Sequence, residues 1–181
     1  MAFTVQNDSG SIADANAYID VAFFTAYHTD RNVASVADGD FDADPDIQGA
    51  IVKASDYLDS RYNYIGSRRV RTQPMEWPRW DAIDKDDYTV NGIPQEVKEA
   101  CAELALAELN SPGVLFPSVS QDASGQGVKR LKQKLDVLET EVEYFGDSAA
   151  ASQKQPQFYT ADWRLRRSGL LISSRGTVRG G

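Results

Sequence analysis

One cysteine, one histidine and two methionines are all that 181 residues contain of these types. A single thiol cannot close a disulfide within the chain, and the composition suits a reducing compartment. One imidazole and one thiol also exclude histidine-rich or cysteine-rich metal sites within a subunit. No basic segment followed by an apolar run opens the chain, and no apolar stretch approaches membrane-spanning length. The sequence therefore reads as soluble, with no visible export signal and no membrane partner. It holds no phosphate loop, nucleophile elbow or dinucleotide fingerprint, and Gly125 and Gly127 form a lone GxG with no strand before it. Basic residues are also in deficit: the formal charge of −8 argues against a general nucleic-acid binder.

What is present points first to residues 72–110. Pro74, Trp77, Pro78 and Trp80 fall within seven residues, and the prolines exclude a regular helix there. Two indoles so close together need apolar surface, and the next segment offers it. Asn91-Gly92 signals a turn, Pro94 fits a first helical position, and a helix over Gln95 to Asn110 follows. Val97, Ala100, Cys101, Leu104, Ala105, Leu106, Ala107 and Leu109 leave that helix a narrow polar wedge of Glu96, Glu99 and Glu103. Such a helix lies in the middle of a bundle or is completed by a neighbouring subunit. Pro74, Trp77, Pro78, Trp80 and Pro94 are read as a structural clasp upon it.

Elsewhere, residues 11–19 form an extended segment delivering Tyr18 and Ile19 to the core. Asp20 caps a short helix, Val21 to about His28, with Phe23, Phe24 and Tyr27 as a core stripe. The alternating Asp38, Asp40, Asp42, Asp44 and Asp46 invite a calcium reading. Counted from Asp38, however, the positions needing glycine and glutamate hold Ala43 and Gly49, which favours a solvated loop. Asp44-Pro45 starts a second helix ending near Tyr62, with Ile47, Ala50, Ile51, Ala54, Tyr57, Leu58 and Arg61 inward. Over residues 128–145 a helix is possible in the first half, but strict alternation favours strand over 137–145. A hairpin turning near Asp136 sets a basic arm against an acidic one. Two strands alone are marginal in water, so Leu138, Val142 and Tyr144 are read as subunit-interface residues. After a small polar linker, Thr160 can cap a last helix bearing Trp163, Arg167 and Leu170 on one side.

The charge is uneven. Residues 163–181 hold Arg164, Arg166, Arg167, Arg175 and Arg179 and no acid, leaving −13 on the remainder. A basic tail either docks on something acidic or is solvated and disordered. The fold class is mainly α: a small helical bundle with a β-hairpin or strand pair at about 128–145 and an extended C-terminal tail. Its divisions are a helical core over 1–127, the hairpin over 128–145, then 146–181 as linker, short terminal helix and basic tail.

For chemistry, Cys101 lies on a core face and reads as a small packing residue. A pairing of His28 with Cys101 is the one thiol–imidazole possibility, set against two helices rich in core residues. Nothing points to an enzyme; a hydrolase using Asp or Glu has no pattern to stand on, and no cofactor is implied. A nucleic-acid reading has more content. Arg68, Arg69, Arg71 and Arg79 lie near Tyr62, Tyr64, Trp77 and Trp80, the mixture single-strand binders use. Against it stand Asp81, Asp84, Asp86 and Asp87 and the packing demand of the indoles, and the packing reading is preferred.

The segments ANAYIDVAFFTAYHTDR, AIVKASDYLDSRYNYIG, TQPMEWPRWDA and GIPQEVKEACAELAL, in that order, resemble tailed-phage head–tail connector (head-completion, or adaptor) proteins. The same group also carries the name DnaT-like single-stranded-DNA-binding protein. The likeness covers residues 11–110 well and the remainder in layout only; Phe23-Phe24 and the acidic run at 38–46 depart from the pattern. It implies a helical adaptor core in a homo-oligomeric ring, commonly of twelve copies, beneath the portal protein. The ring would extend the DNA channel and offer a platform to the next neck or tail-completion protein. DNA would pass through without sequence-specific binding along a carboxylate-lined lumen. Arg164, Arg166, Arg167, Arg175 and Arg179 would meet the portal. The protein would be made in the bacterial host cytoplasm and reside in the virion neck.

Overall fold

A computed structural model describes residues 2–37, 44–117, 128–134, 139–144 and 157–172. The chain divides into two compact units: residues 1–115 with 157–181, and residues 116–156.

The first unit is helical. Asp20 opens α1 (Val21–Thr29), its carboxylate accepting the Phe23 amide at 2.7 Å, so one of the orphan donors of the first turn is satisfied. Phe24 and Tyr27 point inward as the stripe predicts. A short α2 (Ala34–Ala37) precedes the acidic run, of which residues 38–43, with Asp38, Asp40 and Asp42 of the calcium reading, lie outside the described set, while Asp44 and Asp46 fall in the next helix. Next comes α3 (Asp44–Arg61), which buries Ile47, Ala50, Ile51, Ala54, Tyr57 and Leu58 of the predicted stripe, while Arg61, its last member, is half-buried. Each large apolar side chain so buried contributes about 1.5–3 kcal/mol.

The central helix α4 (Gln95–Asn110) begins one residue after Pro94, which occupies the cap position rather than the first helical one. It packs against α3 and against α5 (Tyr159–Ser168), with α1 adding a third contact. Val97, Ala100, Cys101, Ala102, Leu104 and Ala105 are all buried within a single chain. Of the two placements open to so apolar a helix, the structure takes the middle of a bundle.

The polar wedge is occupied too. Arg164 of α5 pairs with Glu99 and lies 3.4 Å from Glu103, which also accepts the Tyr27 hydroxyl at 2.7 Å. Glu108, a residue the periodicity does not single out, is 3 % exposed. It accepts from Lys53 at 2.7 Å, from the Gly113 amide at 2.8 Å and from the Leu115 amide at 3.3 Å. Burial pushes its carboxyl up, but Lys53 and the two amides outweigh that and hold it below its ordinary value.

The terminal helix differs from its predicted form. Thr160 is not its cap; Phe158 stands there with no side-chain hydrogen bond. The inward residues are Ala161 and Leu165, followed by Leu170, whereas Trp163 and Arg167 face outward. Ala161 and Leu165 are spaced i, i+4 like Trp163 and Arg167, so two competing stripes existed. The smaller one won because Arg164, beside it, reaches the α4 carboxylates, and the Tyr62 hydroxyl donates to Asp162.

Between α3 and α4 the chain forms a loop system with one small sheet that periodicity did not anticipate: β1 (Ser67–Arg68) pairs antiparallel with β2 (Arg79–Trp80). Gly66 permits the close crossing, at φ +75°, where a Cβ would stand 2.3 Å from the Trp80 carbonyl oxygen.

The second unit contains a hairpin, β3 (Val128–Lys134) against β4 (Glu139–Tyr144), with a register shift between Val128 and Arg130. Its register sets Arg130 opposite Glu143, Lys132 opposite Glu141 and Lys134 opposite Glu139, the predicted basic-against-acidic arrangement. The first arm is thus strand, not the helix that remained possible. Among the described residues each of these strands has one partner only.

Candidate functional surfaces

The aromatic–arginine cluster of residues 62–80 resolves into an inner and an outer part. Trp77 is fully buried, its ring edge-on to Tyr64 at 5.6 Å, and Tyr62 and Tyr64 are buried as well. The Trp77–Pro78 peptide is cis. The Trp77 amide donates to the Tyr18 hydroxyl oxygen at 3.3 Å, and that hydroxyl donates to Asp59, which also accepts the Glu76 amide at 3.2 Å. Of the five residues read as a clasp, Trp77, Pro78 and Pro94 are buried, while Pro74 and Trp80 are exposed. The reason is chain direction: β2 turns Trp80 away from the core that Trp77 enters.

The arginines are mostly committed. Arg79 donates to the Ile65 carbonyl at 2.8 Å, to the Gly66 carbonyl at 2.8 Å and to Glu76; Arg68 donates to the same Glu76. Arg69 lies 4.1 Å above the Trp80 ring, donates to the Asp8 carbonyl at 2.7 Å, and its own carbonyl accepts the Trp80 indole N–H at 3.2 Å. Trp80 is 48 % exposed, and Val70 and Arg71, which follow Arg69 in sequence, are exposed as well. Of the predicted nucleic-acid set, Trp80 with Arg69 over its ring, and Arg68 and Arg71, are the members at the surface.

A second surface lies along α5. Trp163 is 47 % exposed, with Arg167 over its ring at 5.0 Å, and the two border a cleft of about 330 Å³ with Asp84, Lys85, Glu96 and Glu99. Of the arginines assigned to a partner, Arg166 and Arg167 are exposed. Arg164 is instead turned inward onto Glu99 and Glu103, a correction with a plain cause: two carboxylates at i, i+4 on α4 need a counter-charge. That pair of glutamates was the sequence signal that could have placed it. Arg175 and Arg179 lie outside the described residues, as does Leu138; Val142 and Tyr144 fall in β4, opposite Leu131 and Val128.

His28 and Cys101 have separate surroundings. His28 is buried between Phe24 and Tyr27, its Nε2–H donating to the Ala102 carbonyl at 3.0 Å. Cys101 sits 3.5 Å from the Ser55 hydroxyl, and burial pushes its thiol up to about 12, so it stays protonated at neutral pH. Among the described residues no group of three or more His, Cys, Asp or Glu could hold a metal ion, and no helix is long and apolar enough to cross a membrane.

No curated protein and no solved structure matches this chain. One family model does, across residues 1–179, and that span includes both the buried Trp-Pro clasp and the hairpin. The chain therefore belongs to the family described as "Putative DnaT-like ssDNA binding protein".

Proposed function

We propose that the chain is a non-enzymatic structural subunit, a head–tail adaptor of a tailed bacteriophage. In this reading several copies form a ring beneath the portal, extend the DNA channel and seat the next neck or tail protein. The observation that carries it is the hairpin. A helical unit that buries its own central helix is joined to a two-stranded sheet with no third strand among the described residues. Two strands are marginal in water unless another surface completes them, and further copies in a ring supply one. The negative charge suits a conduit from which DNA must slide free. Exposed Arg166 and Arg167, with Arg175 and Arg179, are the residues assigned to the portal. Synthesis in the host cytoplasm and residence in the virion neck follow from this role.

The family's description favours a second reading, single-stranded-DNA binding, and one surface feature agrees with it: Trp80, with Arg69 over its ring, is half exposed. Of the rest of the predicted set, Tyr62, Tyr64 and Trp77 are buried and Arg68 and Arg79 are paired with Glu76, while Arg71 is exposed. Trp163, with Arg167 over its ring, is a second exposed indole outside that set, and the protein as a whole is acidic. Fluorescence titration of the purified chain with single-stranded oligonucleotides separates the two. The adaptor reading expects no tryptophan quenching at physiological salt and retention on immobilised portal protein. Saturable quenching that weakens steeply with salt, without portal retention, would establish the second reading instead.

A further inference from the structure

The two strands of the hairpin are segregated by charge. β3 carries Lys129, Arg130, Lys132 and Lys134 and no acid; β4 carries Glu139, Glu141 and Glu143 and no base. In the register of the two strands, Arg130, Lys132 and Lys134 stand opposite Glu143, Glu141 and Glu139. Leu131 stands opposite Val142 and Gln133 opposite Thr140. Each strand has an outer edge with no partner among the described residues.

An open edge is a template for another strand, and a row of lysines is a common way to keep like edges apart. Here the device is selective. Two-fold pairing of copies would set β3 against β3, or β4 against β4, and bring like charges together. Head-to-tail pairing sets β4 of one copy against β3 of the next and repeats the opposite-charge pairing already present inside each hairpin. The antiparallel alternation of strands is kept without interruption. Opposite charges across strands stabilise and like charges destabilise, so the sequence discriminates between the two modes. A head-to-tail contact closes into a ring where its rotation permits.

We infer that the hairpin is the assembly element of this protein, and that it joins a second copy head to tail, β4 edge to β3 edge, rather than by a two-fold. This rests on the adaptor reading in so far as that reading requires copies in a circle. It adds which strands meet and which pairing is refused.

The test is a self-sorting experiment on the full chain. One variant exchanges the signs: Arg130→Glu, Lys132→Glu and Lys134→Glu with Glu139→Lys, Glu141→Lys and Glu143→Lys. Every register pair within the hairpin remains opposite in sign. Native mass spectrometry of isotopically labelled wild type mixed with this variant is expected to show each associating with itself. Mixed species should be depleted about tenfold relative to random mixing. Random mixing, or mixed dimers in excess as two-fold pairing requires, overturns the inference, and so does a wild-type chain that stays monomeric at every concentration. A milder variant, Glu139→Gln with Glu141→Gln and Glu143→Gln, guards against misfolding: it should lose self-association at low salt, and unchanged association overturns the inference equally. The adaptor reading fails differently, by absence of portal capture whatever the state of association.

Discussion

Tyr18 donates its hydroxyl proton to the carboxylate of Asp59 and its amide to the Ser55 hydroxyl at 3.2 Å, and these bonds join the N-terminal segment to α3. The same hydroxyl oxygen accepts the Trp77 amide, so three segments distant in sequence meet at one oxygen. The clasp on the helical core is therefore a polar anchor with a buried indole beside it.

Trp77→Ala should destabilise the protein by about 3–5 kcal/mol, the usual cost of truncating a buried aromatic. Urea midpoints of variant and wild type check this. An unchanged midpoint would mean that the indole does not pack as described.

Asp59 gives a pH signature. Burial pushes its carboxyl up to about 7, even though the Tyr18 hydroxyl and Glu76 amide act the other way. The folded protein thus holds this proton more tightly than the unfolded chain, in which the group titrates near 3.8. Its contribution is complete below that value and is lost as pH rises through about 7, a change of at most about 4 kcal/mol. Asp59→Asn should flatten the stability profile between pH 4 and 7, measured by urea unfolding at each pH. His28 acts with the opposite sign: its burial lowers the imidazole value, so its contribution is present above pH 6.5 and fades as pH falls.

Arg164→Ala should cost about 1–2 kcal/mol, since the guanidinium bridges α5 to Glu99 and Glu103 while remaining partly solvated. Arg166→Ala, on the exposed side of the same helix, should change stability by less than about 0.5 kcal/mol. Thermal melts of the pair decide it; equal melting temperatures would contradict the inward placement of Arg164.

Trp80→Phe should leave stability nearly unchanged, within about 1 kcal/mol, because the ring is half exposed and its indole N–H donates to the Arg69 carbonyl on the exposed side. It is also the informative variant for any residual DNA contact. If oligonucleotides quench the wild-type fluorescence, this substitution should abolish most of the effect.

The helical core was legible because its signals are periodic and local. Asp20 before Val21, Asp44-Pro45 before Ile47, and the Ile47–Leu58 stripe each specify an element without knowledge of its neighbours. The second arm of the hairpin was legible for the same reason, since strict alternation over 137–145 marks a strand; the first arm left a helix open, and the register is set only by the β3–β4 pairing itself. Pairings between distant segments were not. Nothing near Glu108 in sequence announces Lys53, and nothing near Tyr62 announces Asp162. Trp77 and Trp80 look alike in a proline-rich run, and only the two-residue β1–β2 pairing sends one inward and the other out. On α5, two stripes of equal spacing competed, and the choice depended on carboxylates some sixty residues away, an Arg164–Glu99 separation of 65.

Negative-stain electron microscopy of the purified chain mixed with its cognate portal protein is the most direct measurement. The account predicts an added ring on one end of the portal, absent when the chain is cut after Ile172, with the helical unit of the cut chain still melting as wild type. Bare portals beside a chain that coats single-stranded DNA would contradict it.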